Sequence, residues 1–466
     1  MTLPELRGAA GALEVQRAID RAAGGRPIPG NRVRLLHDGP EIYPAMLELI
    51  AGARRWIHFE NYIIRHDATG QRFAEALVER ARRGVAVRVL YDWLGSVATR
   101  RRYWERLRRA GIEVRCFNPP RVLKVFGNVS RDHRKLVVVD GTRAVTGGHC
   151  IGDEWAGDPV RRIPPWRDTG VLLEGPAAQA LDRAFASVWS LAGPPLPAVE
   201  LAADPAPCGD ASVRVIMGEP GRERAYRVLE YLAAGCRERL WITDAYLVPP
   251  PRLFQVLIET ARDGVDVRLL VPGASDVPVV RNMSRIGYRE LIRAGIRIFE
   301  WDGPMLHAKT MVADGCWTRV GTSNLNASSL LGNWELDVVI EDQGLAQHME
   351  HQFRRDIGAS LEVLTRPRRL PAPLARVTPP VLTRQHTGEH RAPHQRGHRE
   401  RRRRAMVALI TLASGARRSL FGPASLALIV LGSLFIGLPR PMAYGFGGIC
   451  LWFAIAAGLE AWRRRA

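Results

Sequence analysis

Two segments carry residue types at a spacing that suits phosphoryl chemistry. His133-Arg-Lys135-Leu-Val-Val-Val-Asp140 and His307-Ala-Lys309-Thr-Met-Val-Ala-Asp314 share the pattern H-x-K-x-x-x-x-D, 174 residues apart. Residue frequencies give fewer than about 0.01 chance matches in a chain of this length, so two copies are a signal. The run after each Lys reads as a strand, in which side chains at i and i+2 share a face. His and Lys therefore project together, while each Asp points to the opposite face and is expected to fix a neighbouring loop. One such pair is half a site. Two pairs meeting at one cleft suit a phosphodiester. The two ammonium groups would neutralise its non-bridging oxygens, one imidazole would attack phosphorus, and the other would protonate the leaving oxygen. Of the 67 basic residues only Lys124, Lys135 and Lys309 are Lys. Two of the three fall in these motifs, where a compact ammonium differs from a planar guanidinium.

The elements that must hold these residues repeat as well. Gly84-Val-Ala-Val-Arg-Val-Leu90 returns as Gly264-Val-Asp-Val-Arg-Leu-Leu270, and Arg109-Ala-Gly-Ile112 as Arg293-Ala-Gly-Ile296. Glu60-Asn-Tyr62 is echoed by Asp244-Ala-Tyr246. Offsets of 180 to 184 residues make each copy domain-sized. Apolar runs of strand length (56–64, 85–91, 112–117) alternate with helical patterns such as 73–83, the signature of an α/β sheet covered by helices. The expected organisation is a first half over 1–195, a second over 196–366, a linker over 367–405 and a membrane segment over 406–466. The breaker cluster Gly193-Pro-Pro-Leu-Pro197 marks the join of the halves.

The chain of 466 residues is 46% hydrophobic, which excludes wholesale disorder. Its net charge of +20 points to a polyanionic partner. The segment from Arg384 to Arg404 contributes +6 of this and the remaining tail +5, leaving +9 on the first 383 residues. The folded part is thus only moderately basic. Leu420 to Leu438 and Met442 to Leu459 are uncharged and apolar, each about one bilayer span, with Pro439-Arg440-Pro441 between them. Arginines on the outer flanks predict a transmembrane hairpin with both ends cytoplasmic. The linker reads as a tether whose arginines meet anionic headgroups. His386, His390, His394 and His398 are read as part of that solvated tether rather than as a metal site. Six scattered Cys without a C-x-x-C pair exclude a cysteine zinc site and argue against a disulfide framework. The charged N-terminus, with Glu5, Arg7 and Glu14, is not expected to be a signal peptide.

These motifs resemble the phospholipase D superfamily, over roughly Val33 to Asp356, and look most like bacterial cardiolipin synthases. The resemblance implies two α/β halves related by a pseudo-twofold with the active site between them. It marks His133, Lys135, Asp140, His307, Lys309 and Asp314 as the catalytic motif residues. Thr322 and Asn324 look like phosphate-facing groups, Glu335 like the carboxylate that orients an imidazole, and Asp168 like its counterpart. Cys150 stands where an Asn is usual, and a small buried side chain is its expected role. No metal or other cofactor is implied. The implied activity joins two phosphatidylglycerols to cardiolipin at the cytoplasmic face of a bacterial inner membrane, with His133 as nucleophile. Hydrolysis or exchange with another alcohol shares the same intermediate. A nuclease is disfavoured because over half of the charge excess lies on the linker and tail, and a degenerate scaffold because both motifs are intact.

Overall fold

The computed structural model describes residues 9–120, 130–365 and 382–385. Its first seven strands are β1 (Ile28–His37), β2 (Trp56–Asn61), β3 (Ala86–Asp92), β4 (Glu113–Phe117), β5 (Lys135–Val139), β6 (Arg143–Gly147) and β7 (Thr169–Glu174). The remainder are β8 (Ala211–Gly218), β9 (Arg239–Thr243), β10 (Asp266–Pro272), β11 (Arg297–Trp301), β12 (Thr310–Ala313), β13 (Trp317–Gly321), β14 (Glu335–Glu341), β15 (Ser360–Thr365) and β16 (Leu382–Gln385). All join one 16-stranded mixed sheet.

Outward from the seam between β1 and β8, one side runs β1-β7-β6-β5-β2-β3-β4 and the other β8-β14-β13-β12-β9-β10-β11, with β15 and β16 beyond. The duplicated sequence thus folds into a duplicated strand order. Parallel β2-β3-β4 and β9-β10-β11 are the βαβ parts, and antiparallel β5-β6-β7 and β12-β13-β14 carry the motifs inward to the seam. The segment Gly193–Pro197 lies between helix Pro176–Trp189 and a 3-10 turn at Ala198–Leu201.

Helices Asp38–Ala51, Ala68–Arg82 and Arg101–Arg109 bury one face of the first seven strands. Helices Arg224–Gly235 and Pro251–Arg262 do the same beyond the seam. On the other face Pro176–Trp189 and Gln343–Gly358 share one apolar cluster drawn from both sides, including Leu136, Phe185, Leu336 and Phe353. That shared core ties the two motif-bearing hairpins to a common base. No helix among the described residues is long and apolar enough to cross a membrane. The two apolar runs expected to form a hairpin, 420–438 and 442–459, lie outside the described residues, as does most of the linker.

Asp140 and Asp314 are corrected from candidate catalytic groups to structural ones. Asp140 (φ 53°) and Gly141 (φ 66°) form the tight turn from β5 into β6, closed by Thr142 N–H donating to Val139 O at 3.1 Å. The Asp140 carboxylate accepts from the backbone N–H groups of Arg54, Arg55 and Trp56 at 2.9, 2.7 and 2.9 Å, fixing the entry to β2. Asp314 repeats this on Arg237, Glu238 and Arg239 at 2.8, 2.9 and 3.0 Å, with φ 48°. Each carboxylate sits at the far end of its strand, roughly 16 Å from the Lys at the strand rise. Asp140→Ala strands three backbone donors and is expected to cost about 2–4 kcal/mol of stability. Calorimetric unfolding should register this, while the folded fraction keeps its turnover. Lost turnover with unchanged melting would place Asp140 in the chemistry after all.

Candidate active site

His133 and Lys135 lead into β5, and His307 and Lys309 lead into β12. In each case the backbone that carries the His is hydrogen-bonded across to the other half. His133 N–H donates to Trp334 O at 2.9 Å, and His307 N–H donates to Arg167 O at 2.7 Å. The residue after each acceptor is the carboxylate that holds that same imidazole. His133 Nδ1 lies 3.0 Å from Glu335 Oε2, and His307 Nδ1 lies 2.8 Å from Asp168 Oδ2. Each histidine is therefore oriented by an acid from the opposite half. With Nδ1–H directed at the carboxylate, Nε2 is the atom available for nucleophilic or acid–base work.

The carboxylates are themselves held. Thr322 Oγ1 donates to Glu335 Oε2 at 2.5 Å, and the Ser329 hydroxyl bonds Glu335 Oε1. Asp168 accepts from Trp155 Nε1 at 3.1 Å and from Thr169 N–H at 2.8 Å. Gly148 occupies the place in the first half that Thr322 occupies in the second. A Cβ there would lie 2.2 Å from Asp168 Oδ1, so glycine is what admits the shorter acid.

Both lysines are fully buried. Each donates one of its three ammonium protons to the carbonyl oxygen of the His in its own motif. Lys135 Nζ lies 5.3 Å from the ring centre of Tyr62, and Lys309 Nζ 5.8 Å from that of Tyr246. The same rings border the imidazoles, with centroids 4.9 Å apart for Tyr62 and His133 and 6.1 Å for Tyr246 and His307. Trp155 and Trp166 wall the second imidazole at 5.5 and 5.9 Å.

Burial sets the charge states. It drives His307 down to about 4, helped by Lys309 and opposed by Asp168. It also lowers His133, with Glu335 opposing and Lys135 adding. Burial pulls Lys309 down to about 8; Asp168 resists this and repulsion from Lys135 assists it. Burial alone would raise Glu335 and Asp168, yet the adjoining His and Lys hold both below the usual carboxylate range. The cleft therefore has neutral imidazoles beside crowded cations, a field that an incoming anion relieves.

Most residues singled out in the sequence converge here, with one adjustment. Thr322 is fully buried with its hydroxyl committed to Glu335 rather than facing a phosphate. Like Thr322, Asn324 is buried just past the end of β13, and its side-chain oxygen has no hydrogen-bond partner. Cys150 is buried, within electrostatic reach of Lys135 and Lys309, and burial pushes its thiol up, which suits packing rather than nucleophilic attack. Sequence reasoning did not mark Ser329, Trp155 or Trp166. Tyr62 and Tyr246 were visible only as an echo between the repeats.

Comparison with known proteins follows the same residues. The family model described as "Cardiolipin synthase, PLD-like domain" matches residues 46–156 and 230–357, so both motifs fall inside it. Cardiolipin synthase A of Pseudomonas aeruginosa is 36% identical over 376 residues, covering 78% of this chain and 76% of that protein. Cardiolipin synthase A of Pseudomonas fluorescens is 34% identical over 72% of this chain and 70% of its own length. Among solved structures, a phosphatidylserine synthase of Haemophilus influenzae matches with a TM-score of 0.57 at 17% identity. It covers 74% of this chain and 90% of that one, a likeness of fold.

Proposed function

The chain belongs to the cardiolipin synthase, phospholipase D-like family, and we propose that its two motifs form one active site joining two phosphatidylglycerols to cardiolipin and glycerol. It is a phospholipase D-family phosphatidyltransferase with cardiolipin synthase-like function. The observation that carries the reading is the crossed pairing of His133 with Glu335 and His307 with Asp168 around two buried lysines.

In the proposed reaction, Lys135 and Lys309 receive the non-bridging oxygens of one phosphatidylglycerol, with Asn324 as a further donor. His133 Nε2 attacks phosphorus, and the bond to the glycerol oxygen breaks. His307, protonated, gives its proton to that oxygen and glycerol departs. Glu335 stabilises the imidazolium character that develops on His133. The hydroxyl of a second phosphatidylglycerol then gives its proton to neutral His307 and attacks the phosphatidyl-histidine. The P–N bond breaks with its electron pair returning to Nε2, and cardiolipin leaves. The linker arginines and the apolar runs at 420–438 and 442–459 would hold the site on the cytoplasmic leaflet, where the anionic lipid is both surface and substrate.

The neutral resting state of His307 has a measurable consequence. Its pKa near 4 must rise once a phosphodiester anion sits beside it, so binding takes a proton from solvent at neutral pH. Lys309, near 8, is already largely charged at pH 7, so the uptake there reports mainly on His307. Titration calorimetry with glycerophosphoglycerol, in buffers of different ionisation enthalpy, should give net uptake of up to about one proton at pH 7. Zero uptake, or release, would contradict the proposed acid role of His307.

The function itself is tested by product analysis on phosphatidylglycerol vesicles with DNA present. The expected products are cardiolipin and glycerol in equal amounts with intact DNA. Phosphatidic acid alone would make the enzyme a hydrolase, and cleaved DNA without cardiolipin a nuclease.

A further inference from the structure

Three segments bordering the cleft combine exposed apolar side chains with arginines, and none contains an acidic residue. Leu94 to Arg102 carries Leu94 and Val97, which are 49% and 59% exposed, followed by Arg100, Arg101 and Arg102. It is fastened to the site by Ser96 Oγ, which donates at 3.1 Å to the carbonyl of Tyr62, the ring beside His133. Pro159 to Pro165 lifts Val160 to 94% exposure between Pro159 and Arg161 and runs into Trp166, which walls His307. The third segment begins at Val277. The residue before it, Asp276, accepts at 2.8 Å from Tyr246 Oη, whose ring borders His307.

This third segment continues as helix Pro278–Arg293, which fully buries only Tyr288 and Leu291. Val279, Met283 and Ile286 stand at i, i+4 and i+7, forming one stripe that is 57%, 47% and 71% exposed. A helix that turns an apolar stripe to water lacks a partner. The chemistry around the stripe says which kind. Val277 to Arg289 contains Arg281, Arg285 and Arg289 and no Asp or Glu. Apolar side chains between arginines, at the rim of a cleft built for a phosphodiester, match the layered chemistry of an anionic bilayer: acyl chains beneath, phosphates above.

We propose that this rim is an interfacial docking surface for a bilayer rich in anionic phospholipid, with Leu94, Val97, Val160, Val279, Met283 and Ile286 entering the boundary between headgroups and acyl chains. Arg102, Arg161 and Arg289, all exposed, meet lipid phosphates above them. The cleft then opens onto the membrane, and a lipid headgroup can reach Lys135 and Lys309 while its acyl chains stay in the leaflet. This contact belongs to the catalytic part itself and is separate from any anchoring by the tail. Its role in substrate delivery rests on the phosphatidyltransferase reading; the docking does not.

The docking is tested on the full chain with Met283→Trp, mixed with phosphatidylglycerol vesicles whose acyl chains are brominated. The expected result is quenching beyond that of the 12 native tryptophans carried by the unmodified chain. No excess quenching overturns the surface. A second copy of the chain or a protein partner covering this face would give that result, because residue 283 would be shielded from lipid. In a second arm the full chain carries V279S, M283S and I286S, substitutions at exposed positions outside the catalytic machinery. The ratio of turnover on vesicles to turnover on detergent-dispersed lipid should fall about tenfold. An unchanged ratio, including equal losses on both substrates, overturns the delivery role. Should the unmodified chain make no cardiolipin, the proposed function fails, yet the quenching arm still decides the docking.

Discussion

Replacing either His133 or His307 by Ala is expected to lower cardiolipin formation by about 10³-fold or more, and the double replacement to cost little beyond either single one. The two imidazoles belong to one site, so losing one removes the sequence of bond changes the other serves. Without His133 no nucleophile reaches phosphorus. Without His307 the glycerol oxygen must leave as an alkoxide, and no base prepares the incoming hydroxyl. The crossed braces sharpen the expectation: each half supplies the acid that orients the imidazole of the other. Initial rates on detergent-dispersed phosphatidylglycerol would measure this for the three variants. Two independent sites would instead leave about half of the activity in each single variant and abolish it only in the double.

Lys135→Arg and Lys309→Arg are each expected to lower turnover by about 10²-fold although the formal charge is kept. Both ammonium groups are fully buried, bonded to a backbone carbonyl of their own motif and bordered by a tyrosine ring. A guanidinium is longer, planar and forked. In that space it must displace the ring or swing its charge away from the phosphorus. The 65 other basic residues of this chain are all Arg save Lys124, so Arg itself is plainly acceptable wherever charge alone matters. Steady-state rates compared with melting temperatures separate the cases. Intact folding with a large fall in kcat is the expected pattern, and a freely tolerated Lys309→Arg would contradict the role given to the ammonium.

What was legible in the sequence depended on how local the determinant is. That the two sides of the seam would share one architecture followed from the repeat, because both copies share the same βαβ patterning, whereas the strand order itself did not. The common projection of His and Lys followed from strand periodicity. The opposite projection of Asp140 and Asp314 did as well, although their three-fold capture of backbone N–H groups makes them supports and not reactants. Glu335 and Asp168 were recognisable as orienting acids, but their exchange between halves was not. That exchange arises from backbone pairing of Asp132 with Trp334 and Arg167 with Leu306, contacts more than 130 residues apart in sequence. Thr322 misled for a related reason, since its hydroxyl is taken by an acid 13 residues away that reaches it only across neighbouring strands. Tyr62 and Tyr246 were obscured by a register difference. Leu136 pairs with Glu60, two residues before Tyr62, whereas its counterpart Thr310 pairs with Thr243, three residues before Tyr246.

The most direct measurement is mass spectrometry of the full-length enzyme quenched in alkaline denaturant milliseconds after mixing with phosphatidylglycerol. The expected result is a phosphatidyl adduct on the peptide containing His133, abolished in His133→Ala and appearing before cardiolipin does. An enzyme that turns over rapidly while no adduct forms on His133 would contradict the account.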